Sequence, residues 1–376
     1  MAHHLSGSRI FWQLCGVTGT SRRVASSGLT KRPWKEQSRT ARQALGRIPP
    51  LLKKFRQSVL AAAFRGDLTR DWREQQPEVE PASALLERIR TQRLRRYQEE
   101  IRKAKAEGRH VLRKPPDLTM RDLKASTLPE LPQPWTWATV EFLASPEPRS
   151  IQSGPFGSNL HHSEFQDTGV LAIGIDNVLD GKFTTGLQHR ISYQKYEQLK
   201  KYAARPFDVL LTVMATVGRC CVVPKNVETA IITKHVYRIS VDSLLCEPGY
   251  MMNALRGCPS VLEQLYGEVQ GVTRPGINGG ILKRLAIPIS PLEEQHAILA
   301  RIEACFRQAD AIDAAVEATR RGADKLEQSI LARAFRGELV PQDPSDEPAS
   351  VFLADRAKER AVKRVPASSK ERRLNV

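Results

Sequence analysis

A chain of 376 residues is long enough for two domains, or for one domain with extended elements attached. Its formal net charge of +17 and pI near 9.8 direct it toward an acidic partner, most often nucleic acid. Six cysteines (Cys15, Cys220, Cys221, Cys246, Cys258, Cys305) without C-x-x-C spacing argue against a disulfide framework or a zinc site and fit a reducing cytoplasm, and no run of 18 apolar residues is present to span a membrane.

The charge is unevenly placed. Residues 1–50 hold nine Lys/Arg against the single acid Glu36, so +8 of the +17 lies there. Residues 1–49 read as a basic leader without structure of its own; its Arg- and Ser-rich, acid-poor start also reads as an organellar presequence. A short helix is predicted from Leu51 to Arg65, within a segment 50–72.

That helix ends in "QSVLAAAFRGDL", residues 57–68, which returns as "QSILARAFRGEL", residues 328–339, with nine of twelve positions identical. Gly66 and Gly337 stand where a helix C-terminus takes a residue at positive φ, with Arg65 and Arg336 in the last turn, facing the negative end of the helix dipole. Each copy leads through a polar loop to Pro-Ala-Ser (Pro81–Ser83, Pro348–Ser350) and an apolar pair, Leu85/Leu86 or Phe352/Leu353. Internal duplication is the better account of such a match.

Residues 73–127 are read as a charged helical linker. Its stretch 87–114 carries eleven Lys/Arg and four Glu, which is a solvated face by default and a phosphate contact as the alternative. From Leu128 the character changes. "GVLAIGIDNV", "FDVLLTVMATVGRCCVVP", "AIITKHVYRISV" and "LKRLAIPIS" are β-rich runs bounded by Gly, Pro and Asp, with a helix broken near Pro259 between the last two. Together they predict one α/β domain over 128–290.

Residues 291–337 form a long helical pattern opening on Pro291, Glu293 and Glu294. Apolar or small residues recur in alternating steps of four and three from Ile298 through Ile302, Cys305, Ala309, Ile312, Val316, Thr319, Ala323 and Leu326 to Ile330, a heptad seam that requires a partner helix. A polar tail with a short helix, 338–376, closes the chain.

Chemistry is sparse. "SGPFGSN" (Ser153–Asn159) lacks the G-x-x-x-x-G-K-[ST] of a P-loop, and "GVTRPGINGG" (Gly271–Gly280) offers Thr273 and Arg274 either to a DNA phosphate or to a plain turn. His161, His162, Glu164 and Asp167 read as polar loop before they read as a metal cluster. No methyltransferase cofactor loop, nuclease carboxylate set or G-x-S-x-G is present, so no catalytic residue and no metal ligand is assigned.

The order of these elements, from about Leu51 to about Arg360, resembles the specificity subunit of type I restriction-modification systems. The stretches that carry the resemblance are "SGPFGSNL", "FDVLLTVMATVGRCCVVP", "GVTRPGINGGILKRLAIPISPLEEQHAILARIEA" and the two "AFRGDL"/"AFRGEL" ends. It implies an α/β (α+β) target-recognition domain followed by a long coiled-coil helix, with the family's long helices antiparallel as a ruler between the halves of a bipartite double-stranded DNA site. It further implies a subunit with no catalysis and no cofactor, which docks methyltransferase subunits and, through them, the ATP-dependent restriction subunit. The competing readings are a stand-alone nucleic-acid enzyme and a remnant that no longer binds DNA.

A full family member carries two recognition domains and two long helices, so the sequence looks like the second half of one. A long helix beside a stub of about 15 residues lacks a partner along its length. The expectation is therefore an antiparallel homodimer reading a palindromic site, packed through Ile298, Ile302, Ile312, Val316, Leu326 and Ile330. Ser153, Ser158, Asn159, Thr273 and Arg274 are the expected phosphate contacts. Asn177, Lys182, Gln188, His189 and Arg190 are the expected base readers.

Overall fold

The computed structural model describes residues 31–109, 114, 128–186, 189–214, 216–267, 277–339 and six residues between 350 and 358. They fall into two compact units, a larger one within 47–313 and a smaller one built from the described parts of 1–46 and 314–376.

Helix α1 runs Lys31–Phe64, 34 residues, through Pro49 and Pro50. This corrects the expectation of a structureless leader to residue 49 and of a 15-residue stub. Two prolines remove the N–H groups that would reach the carbonyls of Leu45 and Gly46, which ordinarily ends a helix. Both prolines are exposed, so water can take those carbonyls. The line that holds the helix passes the prolines by: Ser38, Leu45, Leu52 and Val59, spaced by seven, are half-buried or buried.

At Gly66, φ is +80°, the left-handed stop its position predicts. A 3-10 turn, Asp67–Thr69, leads to α2 (Arg70–Gln75) and α3 (Ala82–Ala106). The charged α3 is docked by one buried line, Ala82, Leu86, Ile89 and Arg93. Arg93 donates to the carbonyls of Phe142 (2.7 Å) and Ala144 (3.3 Å) and pairs with Asp242 at 2.5 Å, so its charge is buried with a counter-charge, although its Nε has no partner among the described residues.

The α/β domain opens with β1 (Thr136–Thr139), α4 (Val140–Leu143) and β2 (Ile151–Ser153). Strands β3 (Val170–Ile173), β4 (Val178–Leu179), β5 (Lys182–Phe183) and β6 (His189–Ile191) follow, then α5 (Tyr193–Leu199). Next come β7 (Ala203–Ala204), β8 (Val209–Thr212), β9 (Cys220–Val222), β10 (Ala230–Ile232) and β11 (Val236–Ile239). Helices α6 (Pro248–Gly257), α7 (Pro259–Gly267) and α8 (Gly279–Arg284) precede β12 (Ala286–Ile289). One sheet has the order β6-β3-β10-β7 and a second β2-β11-β8-β9; β1 pairs with β12 and β4 with β5.

Period-two alternation explains why β8 and β9 read as unbroken apolar runs. Val209, Leu211 and Cys220 enter the core shared with Phe64, Tyr250 and Ile298, while Leu210 and Cys221 enter the one around Leu171, Ile191 and Ile231. Burial pushes the Cys221 thiol up to about 12 and raises those of Cys220, Cys246 and Cys258, so these cysteines act as small apolar residues.

Helix α9, Leu292–Phe335, is 44 residues and about 66 Å long. In the larger unit it runs antiparallel to α1 and the turn that follows it. Arg56 pairs with Asp310 (2.6 Å) and Asp313 (2.8 Å), Arg301 with Asp71 (2.5 Å), and the fully buried Glu294 takes Arg73 (2.5 Å), Thr69 Oγ1 (2.7 Å) and Trp135 Nε1 (2.7 Å). In the smaller unit Arg42 pairs with Asp324 (3.0 Å) and with Glu327. The long helix thus has a partner within the chain, and the ground for expecting a second copy beside it is removed. Of the expected seam, Ile298, Ile302, Ala309 and Val316 are buried and Ile330 half-buried, while Ile312 (47 % exposed) and Leu326 (61 %) face outward.

Candidate nucleic-acid interface

Strand direction decides which loops gather. β2 and β8 both run antiparallel to β11, so Ser153, Thr212 and Val236 mark the same end of their sheet. In the other sheet β3 and β10 are parallel and end at Ile173 and Ile232. The turn Thr233–His235 carries the chain from β10 into β11 and so joins the two sheets at this end.

Backbone bonds stitch the loops together there. The Gly154 N–H donates to Val236 O (3.2 Å), Thr233 to Ile173 O (2.9 Å), Val213 to His235 O (3.0 Å) and Ile277 to Val213 O (3.3 Å). Gly154 is required by contact, because a Cβ there would stand 2.2 Å from the Thr233 carbonyl. Asn278 caps α8 by accepting from the Ile281 N–H at 2.9 Å, which fixes where the segment before it re-enters the fold.

The expected phosphate contacts divide. Ser153 ends β2, half-buried opposite Tyr237; Ser158 and Asn159 form the exposed turn Gly157–Asn159. Thr273 and Arg274 lie outside the described residues, although Ile277, just after them, is anchored at this end.

The expected base readers divide more sharply. Lys182 is exposed on the β4–β5 ribbon, and Gly181 beside it donates to Cys220 O (2.8 Å) at the start of β9. His189 is exposed at the start of β6, its ring 5.2 Å from that of Phe165. Gln188 lies outside the described residues. Asn177 is buried: its Oδ1 accepts from the Gly174 N–H (2.9 Å) and its Nδ2 donates to Thr184 O (3.0 Å), so its amide holds the loop. The Arg190 guanidinium is held by both oxygens of Glu228, at 2.7 and 2.8 Å, and by Gly169 O (2.7 Å), with its pKa raised by the Glu228 hydrogen bonds. These two positions are corrected from base readers to structural clamps: a side chain whose donors and acceptors are used inside the fold is not presented to a base.

Two cations that sequence reasoning passed over also stand at this end. Arg219 and Lys234 are exposed on the loops 213–219 and 233–235, and neither has a carboxylate partner among the described residues. The segments 153–160, 213–219, 233–235 and 277–280 together contain no Asp or Glu. Burial, and then the Lys234 charge, lowers the pKa of His235, which keeps that ring neutral beside the cation. Phe156 (53 % exposed) and Met214 (37 %) add apolar tips. The signal for Phe156 was present in "SGPFGSN", where glycines and a proline frame a single aromatic. Among the described residues no group of three or more His, Cys, Asp and Glu is placed to hold a metal ion. Glu164 is turned to Lys195 (2.7 Å) and the His161 N–H (2.7 Å), and Lys195 lowers its pKa.

This end gathers exposed Arg219 and Lys234, with exposed Asp176 on the loop that follows β3. A family model, the type I restriction modification DNA specificity domain, matches residues 169–318. The chain is 27 % identical over 304 residues to the EcoBI specificity subunit of Escherichia coli, covering 81 % of this chain and 54 % of that one. It is 27 % identical over 321 residues to the EcoDI specificity subunit of Escherichia coli, covering 83 % and 59 %. The chain thus spans little more than half the length of these relatives. A crystal structure of an HsdS subunit from Thermoanaerobacter tengcongensis aligns with a TM-score of 0.39 at 24 % identity, over 69 % of this chain and 57 % of that one. The matched stretch takes in β3 to β12 and the first part of α9; β2 and the Ser153–Asn159 loop precede it but are hydrogen-bonded into its sheet. No helix among the described residues is long and apolar enough to cross a membrane.

Proposed function

We propose that the chain is the non-catalytic, DNA-reading subunit of a type I restriction-modification complex. Its loop-bearing end contacts one half of a bipartite double-stranded site. The observation that carries this reading is the gathering of the loops around Ser153, Val213, Thr233 and Ile277 at one end of the sheets, where Arg219 and Lys234 are exposed and have no carboxylate partner among the described residues. Cations of this kind take phosphates, which set register and orientation, whereas Lys182, Gln188 and His189 stand for base readout. Thr273 and Arg274 remain proposed phosphate contacts, with Ser153, Ser158 and Asn159 beside them.

Methyltransferase subunits, and through them the restriction subunit, dock on the outward stripe of α9 at Leu326, which pairing with α1 leaves exposed. The homodimer competes for the same stripe. Sedimentation separates the two: the chain alone should run as a monomer and shift only with methyltransferase subunits, and Leu326→Glu should abolish the shift. A dimer of the chain alone would reverse that assignment.

The DNA reading is tested by passing a random 40-base-pair duplex pool over the purified chain, with methyltransferase subunits present. A short motif should emerge after repeated selection. A pool that gains no motif would overturn the reading.

A further inference from the structure

Phe156 is an exposed aromatic on a backbone that has little freedom to hide it. On one side, Gly154 is pressed against the Thr233 carbonyl and donates to Val236 O, and Pro155 is buried. On the other, the Phe156 carbonyl accepts from the Asn159 N–H (3.3 Å) and from Asn159 Nδ2 (3.0 Å), and Gly157 turns the chain at φ +60°. Single exposed apolar residues are ordinary on protein surfaces. A pinned one is less so, because an aromatic held in place loses little conformational freedom when it meets a partner.

The surroundings narrow the partner. Met214, 37 % exposed, adds a second apolar tip from a loop bonded to the same turn as Gly154. Exposed Lys234 and Arg219 are their charged neighbours along these loops, and the loops hold no carboxylate. Phosphates satisfy the cations but offer nothing to a phenyl ring. Between the two phosphate strands, however, a duplex presents thymine methyls, base edges and base steps, which accept an apolar side chain.

We propose that Phe156 is a groove-contacting residue, packed on the bases of the bound duplex while Lys234 and Arg219 hold flanking phosphates. This rests on the DNA-reading function above. It assigns to the Ser153–Asn159 loop a role distinct from phosphate positioning, and it places an apolar contact where hydrogen bonding alone was expected.

The test uses the whole chain and two probes, the duplex pool enriched by the wild-type protein and the same pool before selection. Phe156→Ala should weaken binding to the enriched pool at least about tenfold, leave the unselected pool within about twofold, and keep the salt dependence unchanged. Lys234→Ala should weaken both pools alike and flatten the salt slope by about one. Phe156→Leu, which keeps apolar bulk, should recover most of the loss and also serves if the alanine variant folds poorly. An alanine variant that binds the enriched pool as wild type does, or that loses both pools equally, overturns the proposal while the DNA reading stands. A wild-type protein that enriches nothing removes the DNA reading itself.

Discussion

The two copies of the helix ending share nine of twelve residues and almost nothing of their burial. In the first, Phe64 is 3 % exposed and meets Tyr250 edge-on at 5.1 Å and 70°; in the second, Phe335 is 89 % exposed. Leu60 packs so tightly on α6 that a Cβ at Gly257 would stand 2.3 Å from it, whereas its counterpart Leu331 is exposed. Yet the local structure is the same twice. Gly66 and Gly337 both take positive φ, at 80° and 76°, and Arg65 clasps Asp67 (2.9 Å) as Arg336 clasps Glu338 (2.7 Å). Local sequence therefore writes the helix stop, while burial is set by what else in the chain lies against it. The apolar side of the first copy is packed into the core of the α/β domain, beside Tyr250 and Leu255.

The sharpest way to break this comparison is to remove the same ring from each copy. Phe64→Ala should lower stability by about 3–5 kcal/mol, through lost burial and the cavity left beside Tyr250. Phe335→Ala should change it by no more than about 0.5 kcal/mol, as surface substitutions do. Thermal or urea unfolding of both variants measures the difference. Equal losses would mean that the second copy is covered as the first is.

A smaller contrast lies in the glycines. Alanine at either pays for left-handed backbone, about 1 kcal/mol. At Gly66 the new Cβ would also stand 2.6 Å from Pro132 Cγ, so about 1–3 kcal/mol is expected there in total. Should Gly337→Ala prove the costlier of the two, the left-handed stop would not be the shared element it is taken to be.

The same division explains what could be read from the sequence. The helix stops, the long heptad helix, the two-helix break at Pro259 and the doubly buried strands are periodicity and punctuation, and all were legible. Helix α1 is longer than the expected Leu51–Arg65 because its buried line, Ser38, Leu45, Leu52 and Val59, is polar at its start and crosses two prolines, so its heptad spacing is faint in the sequence. In the site, residue type suggested Asn177 and Arg190, but a loop amide at Gly174 and a carboxylate at Glu228 claim them from positions 3 and 38 residues away. Lys234 and Phe156 were missed for the converse reason. Their placement depends on which strand ends the topology gathers, which the glycines and proline that frame Phe156 do not by themselves reveal.

The smallest effect concerns the turn after the first copy, where Asp71 is held by Arg301 of the long helix at 2.5 and 2.8 Å. The guanidinium lowers the Asp71 pKa from 3.8 to about 2. Its folded value is depressed, so the contribution is present above the ordinary carboxylate range and is lost as pH falls from about 4 toward 2. Both side chains are substantially exposed, at 37 % and 60 %, which limits the gain and makes it salt-sensitive. Asp71→Asn should therefore leave the protein slightly less stable at neutral pH, and the gap from wild type should close as the pH of the melt is taken from 4 to 2. It should also shrink in about 1 M salt, where charges are screened beyond about 3 Å. A gap that persists at pH 2 would show that Asp71 acts through shape rather than charge, and the anchoring of this turn would then belong to the buried Glu294, Arg73 and Thr69 cluster alone.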